Sequence, residues 1–159
     1  MRIIRVNAIT KDLFSPYGQL LDIPKGPGRY DYVAKVFNDR ELASANLLLV
    51  QIEPSNLPIE IAAFERHPHS SQTFIPMKVS KYLIIVCPQS PSGVPDYFKT
   101  VAFIVPGDAG INYNPGVWHY PLTVLDNLGS FAALVWEDGG SSDTEWITIP
   151  KECCLQIDY

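Results

Sequence analysis

The stretch ERHPHSSQTFIPM, residues 65–77, places Glu65, Arg66, His67 and His69 within five positions. His67 and His69 are two of the three histidines in the chain. The third, His119, falls in GDAGINYNPGVWHYPL, residues 107–122. An imidazole exchanges protons near neutral pH because its unperturbed pKa is about 6.5, so His67 and His119 are candidates for base and acid. Neutral imidazoles from two strands are also what a catalytic divalent ion binds, with a further protein group and one position left for water or substrate. His67, His69 and His119 form that candidate ligand set. Glu65 and Tyr113 are candidates for proton transfer if the imidazoles are occupied by a metal. Gln72, Lys78 and Trp118 are candidates for contact with substrate.

Such residues need a scaffold that brings positions 65–72 and 113–119 together. Most of the chain reads as short strands: 46–54, 57–67, 72–77, 81–88, 100–107, 131–136 and 145–150 are rich in β-branched and aromatic residues. A further strand follows the Gly107–Asp108 turn. PKGPG, PQSPSGVPD and EDGGSSD read as loops. Fourteen prolines argue against long helices, and the clearest helix is a short one near 10–15, capped by Thr10 and stopped by SPYG. The expectation is one all-β domain over 1–159, a sandwich or barrel with one or two short helices.

Alternation along LPIEIAAFERHPH puts Ile59, Ile61, Ala63, Glu65, His67 and His69 on one side, and Glu60, Ala62, Phe64 and Arg66 on the other. An apolar wall that ends in an acid and two imidazoles is therefore expected, with Arg66 turned away. A barrel can set His119 beside them although it lies far along the chain. A lone strand-end histidine is usually a satisfied core or rim residue. Three, all within these two stretches, favour a pocket.

With 47% hydrophobic and 18% charged residues and a formal charge of −5, the chain reads as globular and lacks the positive patch that nucleic acid or an anionic membrane would need. No apolar run approaches the roughly 20 residues that span a bilayer, and no signal peptide is evident at the N-terminus. Cys87, Cys153 and Cys154 show neither a zinc spacing nor a disulfide framework, so a cytoplasmic protein with reduced thiols is expected.

The H-x-H pair followed by a distant histidine after a Pro-Gly turn resembles the two motifs of the cupin superfamily, with Gln72 where a carboxylate ligand is usual. More specifically, ERHPHSSQTFIPM, GINYNPGVWHYPL, FSPYGQLLD and NLPIEIAAFERHP together resemble the ureidoglycolate lyase family, from about residue 13 to about residue 135. The resemblance implies a cupin-like β-barrel, a double-sheet jelly roll. It also implies a homodimer that splits ureidoglycolate to glyoxylate and urea in allantoin degradation, and a divalent ion such as nickel or a metal-free site. It carries His67, Gln72, Tyr113 and His119 over as site residues, while His69 is an addition of this sequence. Segments 28–46 and 136–146 depart from the family pattern; both are regions that could touch a substrate carboxylate. Another small oxo-acid derivative turned over by a metal-dependent cupin, or a non-catalytic small-acid-binding module, are the alternatives.

Overall fold

Runs of β-branched and aromatic residues cut by Gly and Pro turns form fourteen strands among the described residues, which in this computed structural model are 2–32 and 36–159. Residues 33–35, inside the departing segment 28–46, lie outside the described residues. In chain order the elements are β1 (Arg2–Ala8), α1 (Lys11–Phe14), β2 (Gly18–Asp22), β3 (Ser44–Ile52), β4 (Ile59–Ile61), β5 (Ala63–Arg66), β6 (Gln72–Lys78) and β7 (Lys81–Cys87). They continue with β8 (Val101–Pro106), β9 (Ala109–Tyr113), β10 (Trp118–His119), β11 (Thr123–Val124), β12 (Gly129–Glu137), β13 (Glu145–Thr148) and β14 (Leu155–Asp158). Helix α1 is capped as expected: the Thr10 hydroxyl accepts the Leu13 amide at 3.2 Å.

Two curled sheets make the fold. The smaller is antiparallel in the order β2-β9-β6-β12-β3. The larger runs β13-β5-β10-β7-β8-β1-β14-β4, with β11 also on β7. Strand β7, KYLIIVC, shows why these sheets pack. Its Tyr82, Ile84 and Val86 enter one core with Phe103, Ile111, Tyr113 and Phe131, which draws on both sheets. The alternate residues Leu83, Ile85 and Cys87 enter a second core with Ile4, Ile61, Phe64, Leu155 and Ile157, where the far end of the larger sheet folds back on itself. A strand buried on both faces needs an unbroken apolar run, and β7 has one. The architecture is all-β, two curled sheets with one short α-helix.

One expectation needs correcting. The strand over 57–67 is broken at Ala62, whose carbonyl accepts the Ile149 amide at 2.8 Å. Before the break, β4 pairs with β14; after it, β5 pairs with β13 and β10. The break resets the alternation, so Ile61 and Phe64 share the second core. Glu65 and His67 do not continue the wall begun by Ile59 and Ile61; they face the opposite, inter-sheet side. Arg66 turns away from them, as the alternation required.

Candidate active site

Strands β5 and β10 are antiparallel neighbours, and their register sets Glu65 directly opposite His119. His67 follows the end of β5. It is tied to the turn before β10 by the Gly116 amide, which donates to the His67 carbonyl at 2.8 Å. Gly116 has φ of 74°, a left-handed conformation that glycine adopts without strain, so the Pro-Gly pair fixes how the two segments meet. From the smaller sheet, β6 and β9 pair Gln72 with Tyr113. Four strands thus deliver Glu65, Gln72, Tyr113 and His119 to one place, with His67 beside them.

Inside this cluster the ring of Tyr113 stacks on His119, centroids 4.2 Å apart and planes within 15°. The rings of His67 and His119 lie 5.7 Å apart. His119 Nε2 is 3.1 Å from Gln72 Oε1 and 3.5 Å from Glu65 Oε1. Each histidine also has a backbone carbonyl at Nδ1: Asp143 for His67 and Val117 for His119, both at 2.9 Å. A carbonyl only accepts, so each ring donates from Nδ1, and a neutral ring then presents the Nε2 lone pair to the centre. His67 Nε2 is buried and has no hydrogen-bond partner. The Tyr113 hydroxyl is likewise buried and unpartnered.

Electrostatics follow from this burial. Desolvation pushes the His67 pKa down from its ordinary value, and the neighbouring His119 pushes it further; the Asp143 carbonyl and the Glu65 carboxylate oppose them without prevailing. Burial likewise raises the Tyr113 phenol well above its usual range, with Tyr82 and Glu65 adding to the effect, so it stays protonated. The centre therefore combines an imidazole kept neutral, an acid group, and a hydroxyl held as a donor.

A divalent ion suits the same atoms. One ligand atom each from Glu65, His67 and His119 lies within 4.8 Å of the others, and all three are electron-pair donors turned inward. Two imidazoles with one carboxylate is a familiar donor set for first-row divalent metals. The orphaned His67 Nε2 is the observation that makes the fit good.

Not every expected residue is here. His69 lies on the rim, where its Nδ1 meets Asp39 Oδ1 at 3.1 Å, and Glu65 takes the place in the triad that the sequence suggested for it. Lys78 is exposed at the far end of β6, six residues along the strand from Gln72. Trp118 precedes His119 on β10 and so points to the opposite face. There its indole N–H donates to the Gly93 carbonyl at 3.2 Å, and the Arg66 guanidinium lies 4.4 Å over its ring. It lines an open surface cavity of about 510 Å³, shared with Thr144, whose hydroxyl lies 3.3 Å from His67 Nδ1.

Three participants had no sequence signal of their own. Asp143 supplies the carbonyl to His67, and Thr144 places a hydroxyl 3.3 Å from the same nitrogen. Arg40 crosses from before β3 to bind Asp143, Asp138 and the Trp136 carbonyl. The nearest thing to a signal is that Arg40 and Asp143 occupy the two segments read from the sequence as departing from the family pattern, and the structure joins those segments to each other.

Fold and site together define an all-β protein of two curled sheets with a buried centre of two histidines and one carboxylate. The family model described as ureidoglycolate lyase matches residues 1–156 of the sequence. The chain belongs to the ureidoglycolate lyase family. It is 32% identical to a ureidoglycolate lyase of Burkholderia cepacia, covering 99% of this chain and 91% of that one. It is 31% identical to a ureidoglycolate lyase of Pseudomonas paraeruginosa over 90% of this chain and 88% of the other. A ureidoglycolate lyase of Burkholderia mallei is 32% identical over 88% and 85% respectively. Among the described residues no helix is long and apolar enough to cross a membrane.

Proposed function

We propose that this chain cleaves ureidoglycolate to glyoxylate and urea, the step that releases urea in allantoin degradation, as a cytoplasmic homodimer. Its substrate is a carbinolamide, in which one carbon bears a hydroxyl, a carboxylate and a urea nitrogen. Cleavage breaks the O–H bond and the C–N bond, forms the glyoxylate C=O, and delivers a proton to the departing nitrogen. The net proton count is unchanged. The chemistry therefore asks for one group to accept a proton and another to return one within a few ångströms.

The observation that carries this reading is the unpartnered, buried His67 Nε2 facing His119 and Glu65. His67, kept neutral by burial, accepts the hydroxyl proton. His119 has acceptors on both sides: the Val117 carbonyl at Nδ1, and Gln72 and Glu65 at Nε2. His119 Nε2 is thereby placed to pass a proton to the leaving nitrogen. Tyr113 braces this ring from its face and offers its free hydroxyl to a substrate oxygen. If a divalent ion such as nickel is bound, Glu65, His67 and His119 hold it, and it supplies positive charge that eases ionisation of the substrate hydroxyl. Tyr113 is then the remaining proton donor, and Gln72 the remaining polar contact.

Glyoxylate release measured by a coupled assay, on protein of known metal content, tests the reading. Activity with ureidoglycolate that disappears in His67→Ala and His119→Ala is expected. Persistence of activity after chelation assigns the proton transfers to the histidines; loss on chelation and recovery with nickel assigns the triad to the ion. A folded wild-type protein that releases no glyoxylate with or without nickel or manganese overturns it.

Support for the homodimer lies on the outer face of the smaller sheet. Registers across β3, β12 and β6 align Leu49, Ala132 and Ile75 in one row and Leu47, Leu134 and Thr73 in the next. Leu47 and Leu49 are 69% and 73% exposed, and Met77 extends the same face. An apolar sheet face of this kind is covered when two copies pack sheet to sheet. Light scattering should give twice the chain mass for wild type and a single mass for Leu47→Lys/Leu49→Lys.

A further inference from the structure

We propose that Arg40 is a positioning residue for His67, acting through the 138–144 loop to fix which ring nitrogen of the histidine carries its proton. The inference deepens the acid–base reading of His67 and rests on it.

The chain of contacts is continuous. Arg40 is a largely buried side chain. Its Nη2 donates to the Trp136 carbonyl at 2.7 Å, and its Nη1 to Asp138 Oδ2 at 3.1 Å and to the Asp143 carboxylate. The Asp143 carboxylate in turn accepts the amides of Asp138, at 3.0 Å, and Gly139, at 2.8 Å. The Gly140 amide donates to Asp138 Oδ1 at 2.7 Å. The loop is thus wound around one carboxylate, and that carboxylate is anchored to the body of the protein by one guanidinium. A planar fork that meets two carboxylates and a carbonyl holds direction as well as distance, which a lone ammonium does less well.

What the loop delivers is the Asp143 carbonyl, 2.9 Å from His67 Nδ1. The neighbouring Thr144 hydroxyl lies 3.3 Å from the same nitrogen, and a hydroxyl can either donate or accept. Only the carbonyl discriminates. While it is in place, Nδ1 must be the protonated nitrogen and Nε2 keeps its lone pair for the centre. If the carbonyl withdraws, Thr144 can donate to Nδ1 instead, and the proton can move to Nε2. His67 would then face Glu65 and His119 with an N–H in place of a lone pair, unable to accept a proton. Arg40 has no direct contact with the centre; its effect passes through Asp143.

The test is a long-range proton–nitrogen correlation spectrum of the imidazoles, recorded on the full chain after chelation and near pH 8, above the ordinary imidazole pKa of about 6.5. With only three histidines in the chain, single substitutions assign every signal. Wild type should show His67 as the Nδ1–H form. Arg40→Gln should shift His67 toward the Nε2–H form, lower kcat about tenfold or more and leave KM within about twofold. Arg40→Lys should recover part of both effects. Asp138→Asn, which removes one anchor and leaves the guanidinium, should act in the same direction but less. Overturning results are an unchanged His67 tautomer in a folded Arg40→Gln protein, or a rise in KM at constant kcat, which would mean that Arg40 binds substrate. Because the spectrum needs no substrate, a tautomer shift in a protein inactive on ureidoglycolate would uphold Arg40's role while overturning the assigned reaction.

Discussion

Glu65 and His119 are cross-strand partners, directly opposite each other on β5 and β10, with a carboxylate oxygen 3.5 Å from Nε2. Facing residues on antiparallel strands are held at close range by the ladder itself. The backbone therefore fixes this acid–imidazole pair, and its geometry does not depend on a mobile loop. Glu65→Gln keeps the shape and removes the charge. We expect kcat to fall by about 10²-fold or more, the scale of an acid–base group, with a melting temperature close to wild type. Steady-state glyoxylate release alongside a thermal melt reads both quantities; near-normal kcat would reduce Glu65 to a bystander.

His69 offers the contrasting case. Its ring is partnered by Asp39 on the rim and takes no part in the cluster of Glu65, His67 and His119. His69→Ala should keep kcat within about twofold, cost no more than about 0.5 kcal/mol as a surface change, and take up added nickel to the same extent as wild type. His119→Ala should lose activity, together with any nickel uptake that wild type shows. Equal loss of metal in the two variants would restore His69 to the ligand set.

Local chemistry explains how much of this was legible. Thr10 and the KDLF turn, the unbroken apolar run of β7, and the polar turns all state their conformation within a few residues. So did the pairing of Glu65 with His67 on one face and the turning away of Arg66. The continuity of Ile61 with Glu65 was not legible, because the break at Ala62 is imposed by the Ile149 amide from another strand. The two-residue strands β10 and β11 exist only through their neighbours' hydrogen bonds. His69 lies beyond Pro68, in a turn where strand alternation no longer applies. Trp118 could have been placed correctly: once His119 faces the centre, its neighbour on the strand must face away. Arg40 and Asp143 are 103 residues apart, and no periodicity links them.

Tyr113 separates stability from catalysis. Its hydroxyl is buried without a partner, and a buried unsatisfied polar group costs about 1–3 kcal/mol. Tyr113→Phe keeps the stack on His119 and removes that cost, so the variant should melt at or above the wild-type temperature. If the hydroxyl serves substrate, kcat should nonetheless drop about tenfold or more. A more stable and equally active variant would show that the hydroxyl does nothing in the reaction.

His67 gives the fold a pH dependence whose sign is set by its burial. Its pKa in the folded protein lies below the unfolded value of about 6.5. Above that pH the ring is neutral in both states, and the native environment that favours the neutral ring contributes fully. As pH falls below about 6.5, the unfolded chain takes up a proton that the folded chain resists. Stability is then lost, by at most about 1.4 kcal/mol per pH unit, until the folded ring is protonated as well. Denaturant midpoints for wild type and His67→Gln, measured in chelator from pH 8 downward, isolate this contribution, because His69, His119 and the carboxylates remain in both proteins. The wild-type midpoint should fall more steeply than the variant's below about pH 6.5 and run parallel to it above. Parallel curves throughout would mean that the folded protein holds His67 no more neutral than water does, which would remove the basis for assigning it the base.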